Sequence, residues 1–333
     1  MKPTVFLTGA AGRIGSRVLR KLLDRGFPVK ALVHRCKPEG AGCDRLQLVH
    51  GDILNQQEMV SVVQGTQVIC HLAATFDMFP PVVFEGDNNA LFDNVVRGTY
   101  NLLEAARRLS DFELMLSAST DAVYGTGPRR FPEPITEQTE PYPMPGRFYA
   151  VAKLVGENLC TNYGKSCGLP WSIIRINWTL AENELLRVFD YSFWRDALSP
   201  EDRSRLETQI GGGRALLCPV FTDGSPAVDQ IADPDDTAEG FVLAIERRDA
   251  ARDNVFNIGA ASPFYYQDFI EKIAKDLNLP YGRGRVKGFE PYAISCEKAE
   301  RLLGYKARHT MAGMIEKALQ RQQENDGILE TPK

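Results

Sequence analysis

The chain has 333 residues, with Lys+Arg 39 against Asp+Glu 43, a formal net charge of −4 and both signs interspersed. That length can bury a large core, as one α/β unit or as two intimate lobes, and the charge excludes the basic footprint of a nucleic-acid binder. Cys 7 without a CxxC pair and His 4 speak for reduced thiols and against structural zinc, so no metal is expected.

The first apolar run, residues 4–7 (TVFL), predicts a strand so early that no signal peptide is expected before the fold. No apolar run approaches the length of a bilayer span, and a soluble cytoplasmic protein without a membrane partner is the expectation. The strand leads into TGAAGRIGSRVLRKLL, which spaces Gly9, Gly12 and Gly15 as GxxGxxG between a strand and a helix. Small residues there let the backbone approach a pyrophosphate, and the helix start offers free N–H groups and a positive dipole end. Gly9, Ala11, Gly12, Arg13, Ile14 and Gly15 are therefore candidate cofactor contacts.

The second strand, residues 29–33, ends at Val33, His34 and Arg35 with no carboxylate. An acidic residue there commonly binds the ribose hydroxyls of NAD. Arg35, with Arg13 as a partner, would suit the 2′-phosphate of NADP, although both arginines also read as solvated surface charges. The reading leans to NADP, with NAD open. After the third strand, 46–49, HGDI places Asp52 and Ile53 where Asp52 either accepts from the adenine amino group or caps the next helix.

Further strands are expected at 68–72, 113–117 and 171–176, with amphipathic helices at 17–23 and 95–109 between strands. Strands separated by helical crossovers predict a parallel sheet covered on both faces. The fifth strand ends in SASTDAVYG, with Thr120 and Asp121 in a polar cluster. Residues 126–146 carry six prolines and read as an extended loop. RFYAVAKLVGENL follows, and places Tyr149 and Lys153 on one helix face. A phenol is a poor base at neutral pH, and a neighbouring ammonium favours its phenolate.

Residues 179–227 break the alternation with a helical, charged segment and a glycine triplet. A helix at 236–247 and a strand at 254–258 then resume it, and the tail from 262 to 320 reads as mainly helical. The expected fold class is α/β, a Rossmann-type doubly wound parallel sheet with a smaller, mainly helical C-terminal substrate lobe. The expected dinucleotide-binding domain is 1–178 and 228–258, and the substrate lobe 179–227 and 259–330.

In its order of glycine loop, strand-end Ser/Thr cluster and YxxxK, the chain resembles the extended short-chain dehydrogenase/reductase family, also called NAD-dependent epimerase/dehydratase. HGDI, HLAA (71–74), NVVRGTYNLLEAA (94–106), STDAVYG and SCEKAERLLGY (295–305) extend the resemblance over nearly the whole chain. The resemblance implies Tyr149 as general acid/base, Lys153 as holder of the nicotinamide ribose and Thr120 as hydroxyl partner. It implies that His71, Leu72, Ala73 and Ala74 line the cofactor, that Asn94 is structural, and that the chain forms a homodimer through helices near 88–109 and 147–166. Thr75, Thr120, Asp121, Tyr149, Asn177 and Trp178 are the expected substrate contacts, with aromatic company from Phe76, Met78, Phe79, Phe193 and Trp194.

Two departures narrow the chemistry. Sugar-nucleotide dehydratases of the family resemble STDEVYG, and Ala122 stands here in place of the second acid, so elimination of water is not expected. The family's RxxN, whose Asn contacts a diphosphate, reads RINW, with Trp178 in that place and Asn177 one residue early. A later clamp arginine corresponds to Asp229 in DQIADPDDTA, where a carboxylate facing a diphosphate would repel it. The expected function is hydride transfer to or from a secondary alcohol or ketone of a sugar or other small polar carbonyl compound. A sugar epimerase that retains its cofactor is the alternative. Some relatives act as NADP-sensing regulators that typically lose the tyrosine, whereas Tyr149, Lys153 and Thr120 are all present here.

Overall fold

The computed structural model describes residues 2–38, 43–74 and 88–324. The chain opens with β1 (Val5–Thr8), α1 (Arg13–Asp24), β2 (Val29–Val33), β3 (Leu46–His50), α2 (Gln56–Val62) and β4 (Val68–His71). There follow α3 (Asn88–Phe92), a π-turn (Asp93–Arg97), α4 (Gly98–Ala106), β5 (Leu114–Thr120), α5 (Phe148–Cys167) and β6 (Trp171–Ile176). Next come α6 (Tyr191–Trp194), α7 (Pro200–Ile210), β7 (Leu216–Val220), β8 (Val228–Asp229), α8 (Pro234–Glu246), α9 (Arg248–Ala251) and β9 (Asn254–Ile258). The tail holds β10 (Phe264–Tyr265), α10 (Ile270–Leu277), β11 (Tyr281–Arg285), α11 (Glu297–Leu303) and α12 (Met311–Glu324).

Seven strands form one parallel sheet in the order β3-β2-β1-β4-β5-β6-β9, which is the expected Rossmann-type arrangement. The central strands bury both faces: every residue of β1, β4 and β5 is buried. One face packs α1 and α8 through Val18, Leu22, Phe241 and Ile245, and the other packs α2, α4 and α5 through Met59, Leu102 and Cys160. Burial on both faces explains why these strands read as continuous apolar runs instead of alternating ones.

A second apolar cluster joins Leu185, Phe189, Trp194 and Leu206 to Leu217, Tyr266, Ile273 and Ile315. The mainly helical reading of the tail missed its strands: β11 pairs in parallel with β7, and β10 pairs antiparallel with β8. The sequence of β11, YGRGR, hides it, because glycine is depleted in strands. Here the glycines have a packing reason. A Cβ on Gly282 would stand 2.3 Å from Leu206 Cδ2, and one on Gly284 2.6 Å from Leu198 Cδ2.

The parallel order brings the C-terminal ends of β1, β4, β5 and β6 to one edge of the sheet. The strand order reverses between β1 and β4, and leaves a crevice there, where open α/β sheets bind ligands.

Candidate active site

The glycine loop at the end of β1 is shaped by close approaches. Gly9 lies at φ +74, and a Cβ on it would come within 2.8 Å of Ala73 N; a Cβ on Gly15 would stand 2.0 Å from Gly9 O. Gly12 caps α1 without a side-chain hydrogen bond, and no acidic residue stands in the first turn. Those N–H groups and the dipole end suit a pyrophosphate, so the loop fits the dinucleotide that its spacing predicts. Thr8 ties the loop to β4. Its hydroxyl accepts from Leu72 N–H at 3.2 Å and Ala73 N–H at 3.1 Å, and therefore donates to His71 Nδ1 at 2.8 Å. Burial, and then Lys153, pushes the His71 imidazole down to about 3, so it stays neutral. Ile14 and Arg13 line the cavity described below, and Ala74 is exposed at the end of the described segment.

At the end of β2, His34 and Arg35 are both exposed. His34 Nε2 lies 4.0 Å from Asp52 Oδ2. Asp52 does not cap α2: its Oδ1 accepts from Leu54 N–H at 2.9 Å, while Asn55 is the cap, accepting from Gln57 and Glu58 N–H. Ile53 is buried, and its carbonyl accepts from Asn101 Nδ2 at 2.9 Å. Arg13 departs from the role offered for it beside Arg35. Its guanidinium pairs with Glu184 and donates to Thr179 O at 3.2 Å. Thr179 follows β6, which lies beyond β4 and β5 on the side of β1 opposite β2, so Arg13 is drawn away from the β2 end.

The catalytic candidates converge as the spacing requires. α5 buries Lys153, whose Nζ donates to Ala118 O at 2.9 Å and lies 5.8 Å from the Tyr149 ring centroid. Thr120 ends β5, and its Oγ1 accepts from Ala122 N–H at 3.3 Å while donating to Asp121 Oδ1 at 3.2 Å. Tyr149, Thr120, Asp121, Asn177 and Trp178 all line one cavity. The acidity of the phenol moves opposite to the expected direction: burial, then Asp121, pushes Tyr149 up, with Arg13 opposing. Burial also lowers Lys153 to about 8, with Glu157 opposing. Thr75, Phe76, Met78 and Phe79 lie outside the described residues.

Glu157, one turn after Lys153 on α5, was not singled out in the sequence. It takes a bidentate pair from Arg175 of β6, Nε at 2.9 Å and Nη2 at 2.7 Å, and accepts from the Ser119 hydroxyl at 2.5 Å. Both partners are buried, and Arg175 also sits 4.7 Å over the Tyr124 ring. Ser119 thus gives its hydroxyl to this pair while bordering the cavity beside Thr120, so the SAST cluster links support and site. Asn94 donates to Ala90 O at 2.7 Å inside the helical turns, in keeping with a structural part.

Asp121 is buried, and Asn177 donates to its Oδ2 at 3.1 Å; burial pushes its carboxyl up to about 6. Asp229 is not among the residues that line the cavity. It is fully buried off the cavity, accepting from Gln230 N–H at 2.7 Å and the Tyr266 hydroxyl at 3.2 Å. The repulsion expected of it falls away, although a clamp arginine is still missing there. Burial, with Asp121 adding, pushes Asp229 up to about 7. A carboxyl raised above its unfolded value of about 4 stabilises the fold below that pH and loses this contribution as pH rises toward about 7. Asp229→Asn should therefore gain on wild type by on the order of 2 kcal/mol between about pH 5 and about pH 8, read from denaturant unfolding. An unchanged difference at the two pH values would contradict the assignment.

The cavity measures about 260 Å³. Its further lining comes from segments far apart in sequence: Thr126 and Arg147 around the proline loop, Phe193 and Trp194 of α6, and Lys287, Phe289 and Tyr292 after β11. Ala122 is among the lining residues, a methyl group where a second acid would stand. Sequence reasoning missed Arg147, Lys287, Phe289 and Tyr292, since nothing in their local pattern marks them. Among the described residues no group of His, Cys, Asp or Glu has a metal-binding arrangement, and no helix is long and apolar enough to cross a membrane.

Comparison with known proteins bears on this arrangement. The chain is 29% identical over 194 residues to an L-arabinose 1-dehydrogenase (NAD(P)(+)) of Haloferax volcanii, covering 56% of this chain and 71% of that protein. It is also 29% identical over 307 residues to a UDP-N-acetyl-alpha-D-glucosaminuronate decarboxylase of Bacillus cytotoxicus, covering 87% of each. Among solved structures, a short-chain dehydrogenase/reductase superfamily protein from Agrobacterium tumefaciens with bound NAD superposes with a TM-score of 0.79 at 25% identity, covering 97% of this chain and 98% of that one. The model of the NAD dependent epimerase/dehydratase family matches residues 5–259, from the start of β1 to the residue after β9. A match that spans every strand of the main sheet makes this chain a member of that family.

Proposed function

We propose that the protein is an NAD(P)-dependent oxidoreductase that moves a hydride to or from the carbon of a secondary alcohol or ketone, with Tyr149 as acid/base. The observation that carries this reading is a single cavity holding Thr120 and Tyr149, with Lys153 behind them and Ala122 in place of a second acid. A bound nicotinamide supplies or takes up the hydride. The chain's own residues hold the substrate oxygen between the Thr120 hydroxyl and the Tyr149 phenol, and the phenol passes the proton. Because burial keeps that phenol protonated, it is loaded as an acid for carbonyl reduction. The division into a dinucleotide-binding unit and a substrate lobe fits this reading, since residues on both sides of the division line the cavity.

The dehydrogenase named among the relatives supports net redox chemistry, and a UDP-glucose 4-epimerase of Corynebacterium glutamicum, 27% identical over 325 residues, keeps epimerisation as the second reading. The two separate in one assay. A dehydrogenase changes nicotinamide absorbance in proportion to substrate consumed, whereas an epimerase converts substrate without net change. Product formation with constant absorbance would overturn the redox assignment.

Arg35 supports NADP over NAD, because no carboxylate stands at the end of β2 and the guanidinium is exposed there. Arg35→Ala should weaken NADP binding about tenfold while changing NAD binding little, measured by calorimetric titration. Equal losses for both cofactors would remove the phosphate assignment. Exposed Phe92 and Tyr100 on the α3–α4 side and Val151 on α5 support the homodimer reading.

A further inference from the structure

Three side chains at the reacting end of the cavity fix one another through their hydrogen bonds. Thr120 accepts from Ala122 N–H at 3.3 Å and gives its own proton to Asp121 Oδ1 at 3.2 Å. Asn177 gives an amide N–H to Asp121 Oδ2 at 3.1 Å. Each oxygen of Asp121 thus takes a donor, and an ionised carboxylate has no proton to return. Asn177 is fully buried, and its Oδ1 has no hydrogen-bond partner among the described residues. An unmet buried acceptor is costly. The amide is nevertheless held this way round, because the reverse would set its oxygen against the carboxylate.

The consequence falls on Thr120. A threonine hydroxyl has one proton and two lone pairs. The proton goes to Asp121 and one lone pair to Ala122 N–H, so what Thr120 has left on the cavity it lines is a lone pair. A substrate hydroxyl can donate to it. A ketone oxygen only accepts, and would meet it lone pair to lone pair.

We propose that Asp121 is a positioning residue: by taking the Thr120 proton it makes Thr120 an acceptor, so that the site holds a secondary alcohol more tightly than the corresponding ketone. This rests on the hydride-transfer reading for the substrate oxygen at Thr120, and on the Thr120–Asp121–Asn177 hydrogen bonds for the preference.

The titratable groups whose charge meets that of Asp121 are Tyr149 of α5, Asp229 of β8 and Tyr292 before α11, with Arg13, Arg147 and Lys287 lining the same cavity. Burial pushes the Asp121 carboxyl up to about 6, against Asn177 and Thr120. As pH falls through that value the carboxyl gains a proton, Thr120 is released to donate to a carbonyl, and the preference should narrow. Asp229, raised to about 7, accepts from Gln230 and Tyr266 rather than from Thr120, so Asp229→Asn should keep this narrowing.

The probes are cyclohexanol with cyclohexanone, and myo-inositol with its ketone as a hydroxyl-rich pair. The alcohol is titrated calorimetrically into the protein with reduced cofactor, and the ketone with oxidised cofactor, two complexes that cannot turn over. The difference in cofactor charge is the same in every variant and cancels between them. In Asp121→Asn the amide oxygen accepts from Asn177 and the amide N–H faces Thr120, which frees the threonine proton. The alcohol-to-ketone affinity ratio should then fall about tenfold, as expected for one hydrogen bond. Thr120→Val should lower it as far, and Asp121→Asn added to Thr120→Val should change it no further.

A ratio in Asp121→Asn within a factor of about two of wild type overturns the proposal. So does a wild-type ratio that stays constant from about pH 8 to about pH 5. Should Asp121→Asn fail to fold, Thr120→Val and the wild-type pH dependence decide. The preference without any absorbance change on mixing ketone and reduced cofactor would sink hydride transfer and leave the part of Asp121 standing. Turnover with a ratio untouched by Asp121→Asn would do the reverse. Binding of neither pair counts against both.

Discussion

Replacing Tyr149 by phenylalanine should lower kcat by about three orders of magnitude while leaving cofactor affinity unchanged. The substitution removes one oxygen and almost no volume, so the packing of α5 stays, and what is lost is a positioned proton donor, worth roughly 10²–10⁴ in rate. Since the phenol is pushed up by burial, a substitute acid of similar strength would have to come from elsewhere in the cavity. Asp121 is the group at hand, raised to about 6 and therefore mostly ionised at neutral pH. The check is single-turnover kinetics beside calorimetric cofactor titration. Turnover within a factor of about three of wild type would end the assignment of Tyr149 as acid/base.

Glu157→Gln should cost about 3–5 kcal/mol of stability, because it leaves the Arg175 guanidinium buried without its counter-charge. Unlike most surface pairs, this one is bidentate and both side chains are 6% exposed, so water cannot replace the carboxylate. The double variant Glu157→Gln/Arg175→Met should recover most of that loss, since it removes both charges from the interior together. Denaturant unfolding of wild type, single and double variants measures this as a cycle. A single variant as stable as wild type would show the pair to be solvated.

The same substitution reaches the chemistry through Lys153. Burial depresses the lysine to about 8, with Glu157 as the opposing influence. The ammonium is lost as pH rises through that value, so activity should fall on the alkaline side. Without Glu157 that fall should begin at lower pH, in the double variant as well as the single one. A double variant with restored stability and a wild-type pH profile would confine Glu157 to a structural part.

How much of this was legible in the sequence depends on the range of the interaction involved. Gly9, Gly12 and Gly15 were readable because a tight strand-to-helix turn fixes their spacing within a few residues. Tyr149 and Lys153 were readable because one helical turn sets their separation, and the six prolines after Gly125 announced a loop. Ala122 could be weighed as a missing acid because its neighbours on both sides match a known pattern. Asp52 shows the limit of such reading: capping and adenine binding were both open, and in the folded chain Asn55 holds the cap.

What the sequence by itself determined is the alternation that forces a parallel sheet and the local motifs that mark its crevice: periodicity and turn chemistry act between near neighbours in the chain. What only the tertiary structure decided is the company those motifs keep. It turned Arg13 toward Glu184, buried Asp229 under Tyr266, paired Glu157 with Arg175 and brought Lys287 and Phe289 to Tyr149. Each of these joins segments far apart in the chain. Their partners are selected by the packing of whole elements, by which charges burial can tolerate and by which faces remain to be covered, and none of those is encoded at any one position.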